Sequence, residues 1–228
     1  MTGRACFISL SALAVLGACG SGTGPPPPGF STLRVLHTIF NGPPLNVVVD
    51  GRSVQANLAF GETAPGQALA PGEHTLEPRP PLDTARRVLL VFTSTGGVNY
   101  TAFVLDSVKV DTVIIDPVLV PDTGSQPATG HGRLRLANFA ALAGSIDVYR
   151  TQPDSTHLIL TEQPFNYRAI TPYFESTPGK WTVVISHGGV QDTLFLSDSI
   201  AVGDGQARTV AIIDSAGGQV TRRVLVDR

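Results

Sequence analysis

Two short segments hold aspartates in a setting suited to acid–base hydrolysis. Residues 122–125 read Asp-Thr-Gly-Ser, and residues 213–217 have a related form with Asp214 as their acid. Such hydrolysis needs two carboxylates that share one proton, each on a loop supported by strands. However, Pro121 precedes the first acid where a strand residue is expected, and Ala216 stands where the second loop needs glycine. We therefore keep a hydrolase that uses these two acids only as the weaker alternative, because a motif without its structural context is weak support.

The histidines are the second group suited to chemistry. There are five of them: His37, His74, His131, His157 and His187. No two stand at the spacing of metal ligands on one element, and no cysteine stands near them. The sequence therefore predicts no metal site, no cofactor and no catalytic residue. A zinc site assembled across strands remains the other route to a hydrolase.

Aromatic side chains on the surface of a β-sheet protein can mark a face that binds a protein or a glycan. Four aromatic residues stand between proline-bearing turns in the second half of the chain, and the candidates for such a face are the three that follow Phe165: Tyr167, Tyr173 and Phe174. In the first half, His37 stands beside the Pro43-Pro44 loop. We predict a partner face that includes His37 and those three aromatic residues. The alternative is that the rings pack over the end of their own domain.

Cysteine occurs only twice, and both copies lie near the N-terminus. Arg4 is followed by a short apolar run, residues 5–15, which is too short to span a bilayer as a mature helix. Leu16-Gly17-Ala18-Cys19 follows, and a small-residue cleavage site that ends at a cysteine resembles the bacterial lipobox. That resemblance implies cleavage before Cys19 and a diacylglyceryl group on its thiol. An ordinary secretory signal with an incidental cysteine is the alternative.

The leader predicts an exported bacterial protein that is held on a membrane by its N-terminal lipid. We expect a signal peptide at residues 1–18, and a lipidated cysteine with a Gly/Pro-rich tether at residues 19–32. Because Gly20 is not the aspartate that retains lipoproteins at the inner membrane, analogy favours the outer membrane. No cysteine remains beyond residue 19, so a disulfide cannot stabilise the fold. The formal net charge of −2 without a basic block argues against a nucleic-acid partner.

The body of the chain has the composition and the periodicity of short strands. Its 24 glycines and 18 prolines favour many turns, and no window keeps a helical apolar period. The sequence alternates from Leu33 and again from Leu45 to Val49, before Asp50-Gly51 predicts a two-residue hairpin turn. We also expect turns at residues 64–66 and 70–72. About seven strands fit into residues 33–116.

The strands of the first half occur again in the second half. Residues 33–51 match residues 134–150 at an offset of 101, so that Arg34 falls on Arg135. Further matches pair residues 71–76 with 178–183, 101–107 with 209–215, 113–116 with 224–227, and Phe60 with Phe165. We predict two tandem antiparallel β-sandwich domains, immunoglobulin-like or transthyretin-like, at residues 33–116 and 134–228. Residues 117–133, which are rich in proline and glycine, are the expected linker.

The first half also resembles a known family. Residues 33–37, a proline-containing loop, residues 47–51, Phe60-Gly61 and Pro71-Gly72 form a pattern that resembles the bacterial domain of unknown function 4397 family. The resemblance implies a surface or periplasmic β-domain that is often lipid-anchored or repeated. It implies no catalytic residue, because the family has no assigned chemistry.

These observations favour a lipid-anchored bacterial cell-envelope protein of non-enzymatic type. Its expected role is structural, or the binding of a partner that is an envelope protein or a glycan. A carbohydrate-binding module is the first alternative, and an envelope hydrolase is the weaker one.

Overall fold

The computed structural model describes residues 29–81, 88–109, 112–124, 126–151, 155–190 and 192–227. The predicted signal peptide and Cys19 lie outside the described residues, as do residues 20–28 of the predicted tether. The described chain is all-β, which confirms the predicted fold class, and its one helical element is a 3-10 turn at Ala216–Gly218. Nowhere in these segments does a helix reach the length and hydrophobicity needed for a membrane crossing.

In the part of the chain that the structure describes, eight strands precede residue 122 and ten follow it. The first eight are β1 Ser31–His37, β2 Leu45–Val49, β3 Arg52–Leu58, β4 Thr63–Leu69, β5 Gly72–Arg79, β6 Leu90–Ser94, β7 Asn99–Lys109 and β8 Thr112–Pro121. The others are β9 Gly132–Phe139, β10 Ile146–Thr151, β11 Leu158–Phe165, β12 Phe174–Ser176, β13 Gly179–Trp181, β14 Val183–His187, β15 Phe195–Leu196, β16 Ile200–Val202, β17 Ala207–Asp214 and β18 Val220–Val226.

Each half of the described chain forms two four-stranded sheets. In the first half, sheet A has the order β4-β1-β7-β8 and sheet B the order β3-β2-β5-β6. In the second half, sheet C has the order β12-β9-β17-β18 and sheet D the order β11-β10-β14-β15, with a small sheet of β13 and β16 beside them. Most pairs are antiparallel, but β1 pairs with β7, and β9 with β17, in parallel. Parallel central strands are normally buried on both faces.

Alternation along the strands forms one core inside each half. Leu33 and Val35 of β1 point into a cluster between sheets A and B, where Val47 and Leu76 meet them. In the second half, a separate cluster lies between sheets C and D, and the single tryptophan, Trp181, is buried in it. Because successive side chains of a strand point to opposite faces, every second residue enters the core, and the apolar residues of these strands alternate accordingly.

The opposite faces of sheets A and C pack against each other. Leu36, Phe103, Phe139 and Ile213 belong to a third buried cluster that draws on both halves. The rings of Phe103 and Phe139 lie 4.5 Å apart between centroids. The four sheets therefore stack in the order B, A, C and D, and the central strands of A and C are covered on both sides.

Three boundaries differ from the sequence prediction. The fold begins at Ser31 rather than Leu33, because Ser31 is fully buried and pairs with Leu69 of β4. The turn expected at residues 64–66 lies within β4, where an edge strand and a register shift accommodate the proline. Residues 117–121, expected as linker, belong to β8, which pairs with β7 as far as Pro121. In contrast, the predicted hairpin turn at Asp50-Gly51 is confirmed, with φ of 50° and 74°.

The strand registers also correct two of the predicted matches between the halves. Thr101 pairs with Val120, and Thr209 pairs with Leu225, so residue 227 corresponds to residue 122 and not to residue 116. The hairpin between β7 and β8 is longer than its counterpart, which shifted the sequence match. Likewise Phe165 corresponds to Leu58, because these residues pair with the equivalent Ile146 and Leu45.

Candidate functional site

Buried charges lie at one end of the interface between sheets A and C. Arg34 of β1 donates from Nε to Thr101 Oγ1 at 2.7 Å, within its own sheet. Its terminal nitrogens cross the interface, to the carbonyl of Val226 at 2.5 Å and to the carboxylate of Asp227. Arg34 Nη2 also lies 3.3 Å from Asp122 Oδ2. One arginine of the first half thus binds the end of the last strand of the second half.

The equivalent arginine makes three corresponding bonds in the opposite direction: to its threonine, to a main-chain carbonyl and to the aspartate of the other half. Arg135 of β9 donates from Nε to Thr209 Oγ1 at 3.0 Å. Its terminal nitrogens cross to the carbonyl of Pro121 at 3.2 Å and to Asp122 Oδ1 at 2.6 Å. Thr209 in turn donates to Asp227 Oδ2 at 2.7 Å. We call Arg34, Asp122, Arg135 and Asp227, with Thr101 and Thr209, the Arg/Asp cluster.

The Arg/Asp cluster is nearly neutral and largely excluded from water. The side chains of Arg135 and Asp122 are each 4% exposed, that of Asp227 is 1% exposed, and that of Arg34 is 16% exposed. Burial raises the pKa of Asp122, while Arg34 lowers it, Asp227 raises it and Arg135 lowers it. Two arginines and two aspartates therefore compensate each other's charge where a lone charge would be costly.

The structure does not bring together the two acids of the hydrolase alternative. Asp122 contacts Arg135, which contacts Thr209 near the start of β17, whereas Asp214 is the last residue of that strand. The five residue-to-residue steps from Thr209 to Asp214 span about 16 Å at roughly 3.3 Å per step. The Asp214 carboxylate instead accepts hydrogen bonds from the backbone N–H groups of Leu142 and Ala143. Asp122 and Asp214 therefore lie too far apart to share a proton.

His37 is buried, and its side chain binds the backbone of the loop that follows β1. It is 0% exposed, its Nε2 lies 3.0 Å from the carbonyl of Pro43, and its Nδ1 accepts the N–H of Ile39 at 3.2 Å. Burial lowers the pKa of His37, and the bond to Pro43 only partly offsets this, so the neutral imidazole is favoured. In the second half, Asn138 makes the equivalent bonds, to the Gly144 carbonyl and from the N–H of Ala140. Both side chains hold the loop between the first two strands of their half.

The three aromatic residues of the predicted partner face lie in separate places. The Tyr167 hydroxyl donates to the carbonyl of Asp106 at 2.8 Å, across the far end of the interface. The Tyr173 hydroxyl donates to Asp227 at 2.8 Å, at the end that holds the Arg/Asp cluster. The ring of Phe174 packs against the second core and carries the guanidinium of Arg150 at 4.5 Å. All three are partly buried, so the four predicted residues do not form one open face.

A wide groove lies between the edge strands β3 and β4 of the first half. It measures about 1010 Å³ and is open to solvent. His74 lies at its rim, with Nδ1 2.7 Å from Asp50 Oδ2 and Nε2 2.7 Å from the carbonyl of Ala70. Burial lowers the pKa of His74, but the bonds to Ala70 and Asp50 outweigh it and the pKa is raised. Burial raises the pKa of Asp50, but the hydrogen bonds from Thr75 and His74 lower it by more, so the pKa of Asp50 is lowered.

Metal chemistry finds no support in the described segments. Among their side chains, no three histidine, cysteine, aspartate or glutamate residues cluster closely enough to hold a metal ion.

Sequence reasoning singled out Asp122 but missed its partners. Arg34 and Arg135 stand at equivalent positions of two apolar strands, and each is flanked by buried residues. This repeated arginine in an apolar strand was the signal that could have identified both residues. Asp227 was missed because the last strand was matched to the wrong residues of the first half. The threonines beside the arginines became meaningful only when the parallel pairing of β1 with β7 was known.

Comparison with known proteins adds one finding. Residues 31–149, a little over half of the chain, match the family described as Domain of unknown function (DUF4397). The match covers the first two sheets, all of β9 and the first part of β10. No curated protein matches the chain.

Proposed function

Because the chain belongs to the domain of unknown function 4397 family, we propose that it is a lipid-anchored, non-enzymatic protein of the bacterial envelope that binds a partner. In this proposal, Cys19 carries the lipid and residues 20–30 hold the four-layer body away from the membrane. The small residues before Cys19 and the Gly/Pro-rich segment after it support the anchor.

One observation carries the non-enzymatic role. The acid of the segment that looked catalytic, Asp122, accepts bonds from two arginines and is 4% exposed. A carboxylate held between two arginines serves to join the two halves rather than to activate a water molecule. The consequence is a body whose two sandwiches act as one platform, which suits the presentation of a surface to a partner.

Carbohydrate binding is the alternative, but no specific contact favours it. Stacking on a sugar would require an open aromatic face, and the hydroxyls of Tyr167 and Tyr173 are both engaged in the interior. An envelope protein is therefore the partner that we favour.

The anchor is tested by metabolic labelling with palmitate in the native bacterium. We expect the full chain to take up label and to sediment with the outer membrane. Cys19→Ala should abolish both properties, whereas Cys6→Ala, the matched control in the leader, should keep them. A Cys19→Ala chain that still fractionates with membranes would refute the anchor.

Partner binding is tested with the full-length Cys19→Ala chain as bait in detergent-solubilised native envelope. We expect a stoichiometric envelope protein to be retained. Turnover of envelope peptides or glycans by the pure chain, abolished by Asp122→Asn, would instead support the hydrolase.

A further inference from the structure

Gly66 occupies in the first half the position that Tyr173 occupies in the second. The residue after Gly66 pairs with Leu33, and the residue after Tyr173 pairs with Leu134, which are equivalent positions of β1 and β9. A proline precedes both of them. The two halves therefore differ here by a complete aromatic side chain.

In the second half, Tyr173 covers the Arg/Asp cluster. The guanidinium of Arg135 lies 4.4 Å from the centre of the Tyr173 ring, and the hydroxyl donates to Asp227 Oδ2 at 2.8 Å. A depression of about 370 Å³ remains beside the ring, but Arg135 itself is only 4% exposed. The tyrosine thus provides a cation–π contact and a charge-assisted hydrogen bond to the same cluster.

In the first half, no aromatic ring among the described residues lies over Arg34 as Tyr173 lies over Arg135. Arg34 bonds its threonine, a main-chain carbonyl and the aspartate of the other half, as Arg135 does, and it also reaches Asp122, yet its side chain is 16% exposed. An open depression of about 350 Å³ lies over it, which we call the Gly66 depression. Its lining includes Arg34, Gly66, Asn99, Tyr100, Asp122 and Asp227.

We propose that the Gly66 depression binds the phenol of a tyrosine side chain presented by a partner protein, with the ring against Arg34 and the hydroxyl donating to Asp122. This inference rests on the proposed partner-binding function and names the chemistry of the partner. Asp122 corresponds to Asp227, the acceptor of the internal tyrosine. Its Oδ2 has contacts at 3.2 Å to Thr101 and 3.3 Å to Arg34, both longer than the 2.6 Å bond made by Oδ1, and so has capacity for a further donor.

The charges of the depression favour a phenol over an anion. Two carboxylates, Asp122 and Asp227, line it together with Arg34, so a phosphate or a carboxylate group would meet two like charges. A neutral hydroxyl that donates to a buried carboxylate meets no such opposition. An aromatic ring can also stack on the planar guanidinium of Arg34, whereas the ammonium group of a lysine at this position would offer no such plane.

The first experiment is a titration of the full-length Cys19→Ala chain with N-acetyl-tyrosinamide, followed by the backbone amide resonances in NMR. Saturable shifts should centre on Gly66 and Asn99. N-acetyl-phenylalaninamide should bind about tenfold more weakly, because it lacks the hydroxyl, and N-acetyl-leucinamide should not saturate. No saturable shift at these amides, or equal affinity of the tyrosine and phenylalanine compounds, would overturn the proposal.

Two variants test the geometry in opposite directions. Gly66→Tyr combined with Thr32→Ser should fill the depression and abolish binding; the serine is needed because a Cβ on Gly66 would lie 2.5 Å from Thr32 Cγ2. Tyr173→Gly should open the equivalent site over Arg135 and raise the stoichiometry from one phenol to two. Its thermal midpoint should fall and recover partly on addition of p-cresol. Unchanged binding in the filled variant, or unchanged stoichiometry in Tyr173→Gly, would overturn the proposal.

The same variants separate this inference from the proposed function. An envelope partner captured by the wild-type platform and lost from the filled variant supports both. A partner captured equally by both overturns the tyrosine site and leaves the proposed function intact. Failure of palmitate labelling at Cys19 affects only the anchor, because the phenol titration does not depend on the lipid.

Discussion

Replacement of Arg135 by methionine should uncouple the two sandwiches. Arg135 and Asp122 are 4% exposed and joined at 2.6 Å, and removing one partner of a buried ion pair costs about 3–5 kcal/mol. Burial already raises the pKa of Asp122 with both arginines present, so the loss of one should raise it further. A raised folded-state pKa means that stability is lost as the pH rises through it. The defect should therefore be larger at neutral pH than near pH 4, by about 1.4 kcal/mol for each further unit of pKa.

The assay compares two signals during urea unfolding. Trp181, the single tryptophan, reports on the second core, whereas far-UV circular dichroism reports on both halves. The wild-type signals should follow one coincident transition, and those of Arg135→Met should separate. Arg168→Met is the matched control, because it removes an arginine whose pair with Asp116 is 2.6 Å long but more than a third exposed, and it should cost less than about 1 kcal/mol. Coincident transitions in Arg135→Met, with a free energy of unfolding within about 1 kcal/mol of wild type, would refute the reasoning.

Three further predictions concern single side chains. His37→Asn, which copies Asn138, should be more stable than His37→Ala by about 1–3 kcal/mol, because the asparagine can still bond the loop. In urea titrations, wild type should lose stability as the pH falls from about 6.5 through the lowered pKa of His37, and His37→Asn should not show this loss. His74→Gln should lose less than about 1 kcal/mol, and the loss should disappear in thermal melts as the pH rises through the raised pKa of His74; an unchanged pH profile would contradict that pairing. Gly61→Ala should lose about 1 kcal/mol or more in chemical denaturation, because φ is +76° and a Cβ would meet the guanidinium of Arg223; a wild-type midpoint would show that Arg223 moves freely.

The strands and cores could be predicted because they depend on local alternation. Leu33, Val35, Leu45 and Val47 alternate in the sequence, and all four are buried in the first core. The short Asp-Gly turn likewise needs only two residues to be recognised. These features are set by period and by turn chemistry, which a single sequence displays.

The packing of sheet A on sheet C could not be predicted with the same reasoning. Residues 101–105 and 209–213 are apolar at almost every position, which is the pattern of strands buried on both faces. That pattern predicts that both faces of these strands are buried, but it does not say which other sheet packs on the second face. The cluster followed from a long-range register, since Asp122 meets Arg135 only because β8 ends beside β9. His37 was misjudged because its exposure depends on a loop that folds back over it.

The two halves meet through the same face on each side, and each arginine reaches the aspartate of the other half. This is the arrangement of subunits in a twofold homodimer, in which one self-complementary surface is used twice. A chain that carried one sandwich of this type, with its arginine, threonine and terminal aspartate, would expose an apolar sheet with unpaired charges at its end. Such a chain would be expected to pair with a second copy of itself, and the covalent connection here replaces that association at an effectively high local concentration.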